Sequence, residues 1–255
     1  MLTLPPFAKP LFRRLLPAAA LVLLAGCAAP IPSGISDPYE AQNRAVHRGN
    51  VALDRSVVRP TSMVYGRTVP GPVRTGISNV ASNLSLPAAV VNSLLQLRPG
   101  DAAQNTTRFL INTTIGLGGL LDPATPMGAT QIETGFGETL HVWGVAEGNY
   151  VELPLIGPST GRDAVGTVVD VALSPTVVLL RAERLRAAVG TGILSQLGRR
   201  FDRSNLVDPL LYESADSYAQ SRQIYLDNRR FRLRRGADPD YFDPYEDPYD
   251  DPAAQ

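Results

Sequence analysis

The 255-residue sequence is poor in the side chains that build most catalytic and metal centres. It contains one cysteine, Cys27, and two histidines, His47 and His141. A lone thiol cannot form a disulfide within the chain, and two isolated histidines beside it do not make a zinc site. No G-x-x-x-x-G-K-[ST] motif is present, so the chain has no P-loop for ATP. We therefore expect no resident metal and no cofactor.

Lysine is almost absent, because Lys9 is the only one, and the 24 basic residues match 24 acidic residues. A chain without a basic surplus is not expected to bind nucleic acid. The charges are nevertheless unevenly placed. Residues 222–235 hold six arginines, and residues 237–255 hold seven acids and no base. The acidic stretch predicts a disordered tail. The arginine run is either a solvated face or a docking surface, and we hypothesise that run and tail contact a soluble carrier.

Long apolar runs are also scarce. The apolar stretch over residues 15–25 is too short to span a bilayer, and it follows the basic residues Lys9, Arg13 and Arg14. This pattern predicts a signal peptide over residues 1–26. The stretch ends in LAGC, which resembles a bacterial lipobox, and Cys27 would then receive diacylglycerol and an acyl chain. The alternative is plain A-x-A cleavage.

No aspartate follows Cys27, which in enterobacteria-like sorting implies release to the outer membrane. Residues 27–36 are rich in Pro, Ser and Gly and would form a tether to the folded domain, which we expect over residues 37–236.

Proline and N-cap signals predict a mainly α fold. Asp37 opens a first helix as its N-cap, and Arg59-Pro60 is expected to stop it. A second helix is expected to end near Leu84, and Ser85-Leu86-Pro87 to begin a third. Pro99 opens a helix that runs to about Ile115, and Asp208-Pro209 opens a last helix that runs to about Arg235.

Between these helices the pattern is less regular. Residues 116–137 are rich in Gly and Pro and predict an irregular or hairpin insertion. Residues 150–156 predict a short extended piece. Thr160-Gly161-Arg162-Asp163 predicts a capping box before an apolar helix, and Ser174-Pro175 predicts the start of the next helix.

Three predicted helical stretches are apolar nearly all round: residues 84–97, 109–121 and 165–180. Such helices lie either in a deep core or against lipid. The lipobox favours lipid, so we expect a membrane-embedded disc rather than a soluble domain.

The stretch GPSTG over residues 157–161 matches G-x-S-x-G, the nucleophile elbow of α/β-hydrolases. That reading would make Ser159 the nucleophile of a lipid hydrolase. Both histidines precede Ser159, and no βα repeats supply a parallel sheet. Helix capping gives Ser159 and Thr160 a sufficient alternative role, so we predict that the protein is not an enzyme.

Five segments together resemble one family. They are DPYEAQNR (37–44), VRP (58–60), SNLSLPAAVVNSLLQ (82–96), TRFLINTTIGLGGLLDPA (107–124) and FGETLHVWGVAEGNYVELPLIGPSTGRD (136–163). In this order after a lipobox, they resemble the MlaA family, also called VacJ lipoproteins. The resemblance covers residues 37 to 236.

The resemblance implies a helical ring or disc in the periplasmic leaflet of the outer membrane of a Gram-negative bacterium. A central amphipathic channel would admit phospholipid from the outer leaflet. The implied partners are a trimeric porin and a soluble periplasmic lipid carrier of the Mla pathway. A structural lipoprotein that organises porins without passing lipid is the alternative.

By position, the resemblance also implies roles for individual residues. Gly116, Gly118, Gly119, Phe136 and Gly137 would border the channel and its mobile hairpin; a plain loop between helices is the alternative.

Two aromatic residues suit the membrane interface. Trp143 and Tyr150 could lie at head-group level, where amphipathic rings are favoured. Core packing is the alternative for both.

Overall fold

The structure, a computed structural model, describes residues 34–173 and 182–234. The predicted signal peptide, Cys27, the acidic tail and the helix start at Ser174-Pro175 lie outside these residues. The described elements are α1 (Glu40–Leu53), α2 (Arg59–Thr68), α3 (Gly71–Leu95), α4 (Pro99–Thr114), α5 (Phe136–Val142), β1 (Tyr150–Leu153), β2 (Gly157–Thr160), α6 (Gly161–Leu173), α7 (Ala182–Asp202), α8 (Ser204–Asp208) and α9 (Ser217–Leu233), with π-helical turns at Asp54–Val58 and Pro209–Glu213. The fold is mainly α, as predicted.

The first helix does not stop at Arg59-Pro60. The chain continues through the π-helical turn at Asp54–Val58 directly into α2. The backbone N–H of Arg59 bonds to the carbonyl of Asp54, an i to i−5 bond. Pro60 follows at the point where the wider turn returns to α geometry, so its missing N–H and its ring are accommodated there. The predicted stop was therefore wrong.

Asp37 does not cap α1 either. The helix begins at Glu40, and its N-cap residue Tyr39 makes no side-chain cap bond. The Asp37 carboxylate instead accepts hydrogen bonds from Asn43, Tyr218 and Arg222. A tertiary ion pair has replaced the local cap, and it joins the start of the domain to α9.

The break predicted at Ser85-Leu86-Pro87 is also absent, because α3 is one 25-residue helix with Pro87 inside it. The adjacent Leu86 is completely buried, and Ser85 donates its hydroxyl to the carbonyl of Ser82 at 2.7 Å. Tertiary burial here outweighs the local cost of an interior proline. Helix α3 packs against both α4 and α7.

Helix α4 runs from Pro99 to Thr114, close to the prediction, and residues 115–135 follow without regular secondary structure. The irregular alternative for this stretch is thus the observed one. Three side chains of one α4 face hold the segment down. Asn105 exchanges hydrogen bonds with the backbone of Ile132 at 3.0 and 3.1 Å, and Arg108 and Asn112 both donate to Asp122.

The predicted extended piece is β1, which pairs with β2 in a two-stranded antiparallel hairpin. Thr160 then accepts a bond from the backbone N–H of Asp163 at 3.3 Å, so half of the predicted capping box forms at α6. The Asp163 side chain does not complete the box, because it pairs with Arg229 instead.

The last helix begins later than predicted. Pro209 opens a short π-helical turn, and Ser214 is extended. Helix α9 starts only at Ser217, where Asp216 accepts from the backbone N–H of Ala219 at 3.0 Å. The predicted start at Asp208-Pro209 was wrong because Asp208 serves as an ion-pair partner of Arg59 and Arg200.

Polarity is inverted relative to a water-soluble domain. Within the described residues, nineteen polar or charged residues are buried but only eight hydrophobic ones. Large apolar side chains instead face outward: Leu97, Leu117 and Leu155 are 88%, 69% and 79% exposed. In soluble monomers the interior is the apolar part, and exposed apolar patches mark binding or membrane surfaces. None of the helices in residues 34–173 and 182–234 is long and apolar enough to cross a bilayer.

Candidate functional site

The glycine turn that was predicted to border the channel lies at the end of α4 and packs on α3. Gly118 and Gly119 have φ of 74° and 91°, which glycine adopts without strain. A Cβ at Gly119 would lie 2.7 Å from the Cβ of Asn83, so the turn touches α3 closely. Gly116 is equally confined, since its Cβ would meet the carbonyl of Asn112 at 2.5 Å. These contacts leave little room for a side chain at Gly116 and Gly119, whereas the space beside Gly118 is open.

Phe136 and Gly137 lie at the start of α5, where α5 crosses α6. The Phe136 N–H donates to both carboxylate oxygens of Asp170, at 2.9 and 3.0 Å. A Cβ at Gly137 would lie 2.4 Å from Asp163, and one at Gly166 would lie 2.3 Å from the Gly137 nitrogen. The predicted channel residues therefore fall into two groups, the glycine turn on α3 and this helix crossing.

A buried polar chain lies between α3 and α5. Asn92 donates to Asp170 at 3.0 Å and accepts from the Thr139 hydroxyl at 2.9 Å. Gln96 donates to the same Thr139 at 3.0 Å, and Arg98 donates to Gln96 at 2.8 Å. Hydrogen bonding offsets the cost of burying these groups, and it gives the helices a polar interior.

The two predicted interface residues differ. Trp143 is 54% exposed, donates its indole N–H to the Leu95 carbonyl at 3.1 Å and meets Phe136 edge-to-face. Its neighbourhood includes the exposed Leu94 and Leu95, so an interface role stays a prediction. Tyr150 is only 1% exposed and packs with Tyr218, which is the core-packing alternative. Tyr150 cannot reach lipid head groups in this arrangement.

Ser159 does not have the surroundings of a nucleophile elbow. It lies in β2, is 4% exposed, and donates its hydroxyl to the carbonyl of Thr160. His141, in helix α5, faces Arg162 with Nδ1 at 3.4 Å from the Arg162 Nη1. The structure therefore gives Ser159 a packing role in the hairpin.

A serine, a histidine and a carboxylate do meet elsewhere. His47 approaches Ser217 with Nε2 at 3.1 Å and Glu152 with Nδ1 at 3.2 Å, beside a cavity of about 240 Å³. Glu152 also accepts from the hydroxyl of Tyr150, and burial with that bond raises the pKa of the phenol. Sequence reasoning missed this cluster because Glu152 and Ser217 are both more than 100 positions from His47. It joins α1, the hairpin and α9.

Most arginines of the run over residues 222–235 form ion pairs within the fold. Arg229 binds Asp163 with two hydrogen bonds, and Arg230 binds Glu147 in the same manner. Arg222 pairs with Asp37, and the exposed Arg232 pairs with Glu133. Most arginines of this run therefore join α9 to other parts of the fold and do not form a free basic surface.

Asp163 is one of the buried acids that pair with this arginine run. Burial acts to raise the pKa of Asp163, but hydrogen bonds from Arg229 and Tyr225 outweigh it and hold the pKa below its usual value. Across the described residues, no group of three His, Cys, Asp or Glu residues could hold a metal ion.

Comparison with known proteins identifies one family. The sequence profile of the MlaA lipoproteins matches residues 35–232. The "Intermembrane phospholipid transport system lipoprotein MlaA" of Escherichia coli is 36% identical over 220 residues, covering 84% of this chain and 86% of that protein. The protein of the same name from Haemophilus influenzae is 31% identical, covering 79% and 80%.

A solved structure described as the "structural basis for maintenance of bacterial outer membrane lipid asymmetry" superposes with a TM-score of 0.66. It is 33% identical and covers 78% of this chain and 99% of that one. By profile, sequence and fold, the chain belongs to the MlaA lipoprotein family.

Proposed function

We propose that the protein removes mislocalised phospholipids from the outer leaflet of the outer membrane and passes them to a soluble periplasmic carrier. Its relatives bear the name of an intermembrane phospholipid transport lipoprotein. The observation that supports this role most directly is the inverted polarity of the fold. Apolar side chains outside suit contact with lipid tails, and polar side chains inside suit passage of a head group.

The helical construction fits a location within one leaflet. Helices satisfy their backbone hydrogen bonds internally, which contact with hydrocarbon requires. The body would lie in the periplasmic leaflet, with apolar side chains such as Val91, Leu94 and Leu110 facing lipid. Lipid chains on Cys27 would add the anchor, because one chain alone gives only marginal attachment.

The remaining components follow from the same role. A trimeric porin would act as the scaffold in the membrane, and a periplasmic carrier of the Mla pathway would receive the lipid. Phospholipid would be cargo and not a resident cofactor. Because the sequence lacks a P-loop motif, any ATP would be spent by another component.

Transfer from vesicles tests this proposal against the porin-organising alternative. The purified protein is reconstituted into phosphatidylethanolamine and phosphatidylglycerol vesicles that contain a fluorescent phospholipid. Purified carrier is then added as acceptor, with carrier and empty vesicles as the control. Transfer that depends on the protein supports transport. If the protein inserts stably but neither transfers nor binds phospholipid, the result supports a lipoprotein that organises porins without passing lipid.

The anchor is tested separately by fractionation. We expect Cys27→Ala to lose membrane attachment, whereas the neighbouring Ala28→Ser retains it. A fully membrane-bound Cys27→Ala protein would mean that the embedded body suffices without lipid chains.

A further inference from the structure

A second cavity, of about 510 Å³, lies where the end of α9 meets the loop after α5 and the start of α6. Its volume is in the range of small-molecule sites, roughly 300–1,000 Å³. His141, Arg162, Arg230 and Arg234 line it, together with apolar residues including Val145. The predicted channel residues do not line this cavity.

The charges that line the cavity do not balance. Glu147 is the single acid among the lining residues, and both of its carboxylate oxygens accept from Arg230, at 2.8 and 3.1 Å. The nearest acid to Arg162 is Asp163, whose carboxylate lies 3.9 Å from the Arg162 Nε. That carboxylate is already engaged by Arg229 at 2.6 and 2.8 Å. The cavity therefore has a surplus of positive charge.

Arg162 has unused hydrogen-bonding capacity. Its side chain is 3% exposed, and neither Nε nor Nη2 makes a hydrogen bond. Its Nη1 alone has partners, the Val145 carbonyl at 3.3 Å and the His141 Nδ1 at 3.4 Å. A buried guanidinium with unmade bonds is costly, and such a group calls for a partner. Both unpaired atoms are buried, so an anion would displace a covering side chain to reach them.

His141 adds a neutral donor to the site. Burial first, and then the positive charge of Arg162, lower the pKa of His141. A neutral imidazole whose Nδ1 faces the Arg162 Nη1 accepts there and carries its proton on Nε2. The cavity thus offers N–H donors and positive charge, which match the oxygens of a phosphate group.

We propose that this cavity binds the phosphodiester of a phospholipid head group, with Arg162 and Arg234 as the anion-binding residues and His141 as a further donor. The apolar Val145 and Leu233 would face the glycerol end of the ligand. This inference rests on the proposed function, because it names a binding site for the transported lipid.

The two histidines allow a direct test of this binding site, because His141 lines the cavity and His47 lies outside it. In the purified full-length protein, NMR spectra of the imidazoles are recorded against pH, with and without glycerophosphoethanolamine, a phosphodiester without acyl chains. We expect saturable binding that raises the pKa of His141 by about 1, because an anion then lies beside the ring. His47, which pairs with Glu152 and Ser217, is the internal reference and should not change.

Variants test the named residues. Arg234→Gln, at an exposed position, should weaken probe binding about fivefold, as loss of one charge-assisted contact would. Arg162→Gln should abolish the response, provided that its melting curve shows a folded protein. Arg186→Gln, on an exposed part of α7, is the matched control and should bind normally. Absence of a saturable His141 response, or a response unchanged in Arg234→Gln and Arg162→Gln, would overturn the proposal.

Two competing anions are separated in the same assay. Inorganic phosphate that binds about tenfold tighter than the phosphodiester would assign the site to free phosphate. A chain that ends at Gly236 and binds the probe about tenfold more tightly would assign it to the acidic tail. Either result overturns the lipid assignment. If the probe fails to bind but the protein still moves phospholipid between vesicles, only this site is wrong and the transport function stands.

Discussion

Arg229 on α9 holds Asp163 at the start of α6 with two hydrogen bonds, at 2.6 and 2.8 Å, and Tyr225 donates a third at 2.8 Å. The pair joins segments 66 positions apart, beside the α5–α6 crossing where Gly137 and Gly166 meet. The last helix is thereby fixed to the predicted channel region.

Removal of this carboxylate should destabilise the fold. Asp163→Asn leaves the largely buried Arg229 without its counter-charge, at a cost of about 3 kcal/mol. For a domain of this size the melting temperature should fall by about 6–12 °C. Glu133→Gln is the matched control, because Glu133 is 70% exposed where it pairs with Arg232. It should change stability by less than about 1 kcal/mol. Equal losses in both variants would contradict the structural role of the Asp163 pair.

The stability of the fold should decrease as the pH falls. Burial would raise the pKa of Asp163 and of Asp208, but arginine hydrogen bonds outweigh it and lower both. Hydrogen bonds from Arg44 and a backbone N–H lower the pKa of Asp216 to about 2. The unfolded chain therefore binds more protons in acid. Stability should be intact above the ordinary aspartate pKa of 3.8 and be lost as pH falls towards 2.

Melting temperatures measured from pH 7 to pH 2 check this expectation. The lowered pKa of His141 contributes in the same direction below its ordinary value of 6.5. The decline below pH 4 should be shallower in Asp163→Asn, which has lost one of the responsible carboxylates. A melting temperature that rises on acidification would contradict the assignment of these ion pairs.

The helix crossing should not tolerate a methyl group. In Gly166→Ala the new Cβ would meet the backbone nitrogen of Gly137 at 2.3 Å, and backbone cannot yield cheaply. We expect a loss of about 3 kcal/mol, measured by thermal unfolding. Gly190→Ala in α7 is the control, because nothing lies within 4 Å of its Cβ and alanine favours helix. It should gain up to about 1 kcal/mol. A well-tolerated Gly166→Ala would refute the close crossing.

We predict that Ser159 and Ser217 have structural roles and do not act as nucleophiles. Ser159→Ala and Ser217→Ala should both retain full phospholipid transport, and a fluorophosphonate probe should label neither serine. Ser217→Ala should cost about 1 kcal/mol, because it removes one hydrogen bond to His47. Covalent labelling that is lost in Ser217→Ala would instead make the cluster of Ser217, His47 and Glu152 a hydrolytic site.

The sequence predicted element types better than element ends. Pro99 was read correctly as a helix start because proline suits the first turn of a helix, where its missing N–H has no intrahelical partner to lose. Pro60 and Pro87 were misread as breaks. A π-helical turn accommodates the first, and burial of the adjacent Leu86 stabilises the helix around the second. Such compensation comes from wider geometry and packing, which local proline rules do not contain.

Side-chain partners were less predictable than helices. Asp37 and Asp163 both occupy positions that favour capping, yet each forms a long-range pair with an arginine of α9. Pairing over more than 60 positions leaves no local pattern. The same reason hid the cluster around His47 and the cavity beside Arg162. Apolar helical stretches, by contrast, were visible in the sequence, and large side chains within two of them, such as Leu94 and Leu110, are exposed.

The central claim is tested by the phospholipid content of the outer leaflet. It is measured by labelling intact cells in a strain that lacks the gene, with and without the wild-type gene restored. We predict that outer-leaflet phospholipid rises on deletion and returns to the original level on restoration. An unchanged level in an otherwise intact outer membrane would contradict removal of phospholipid by this protein.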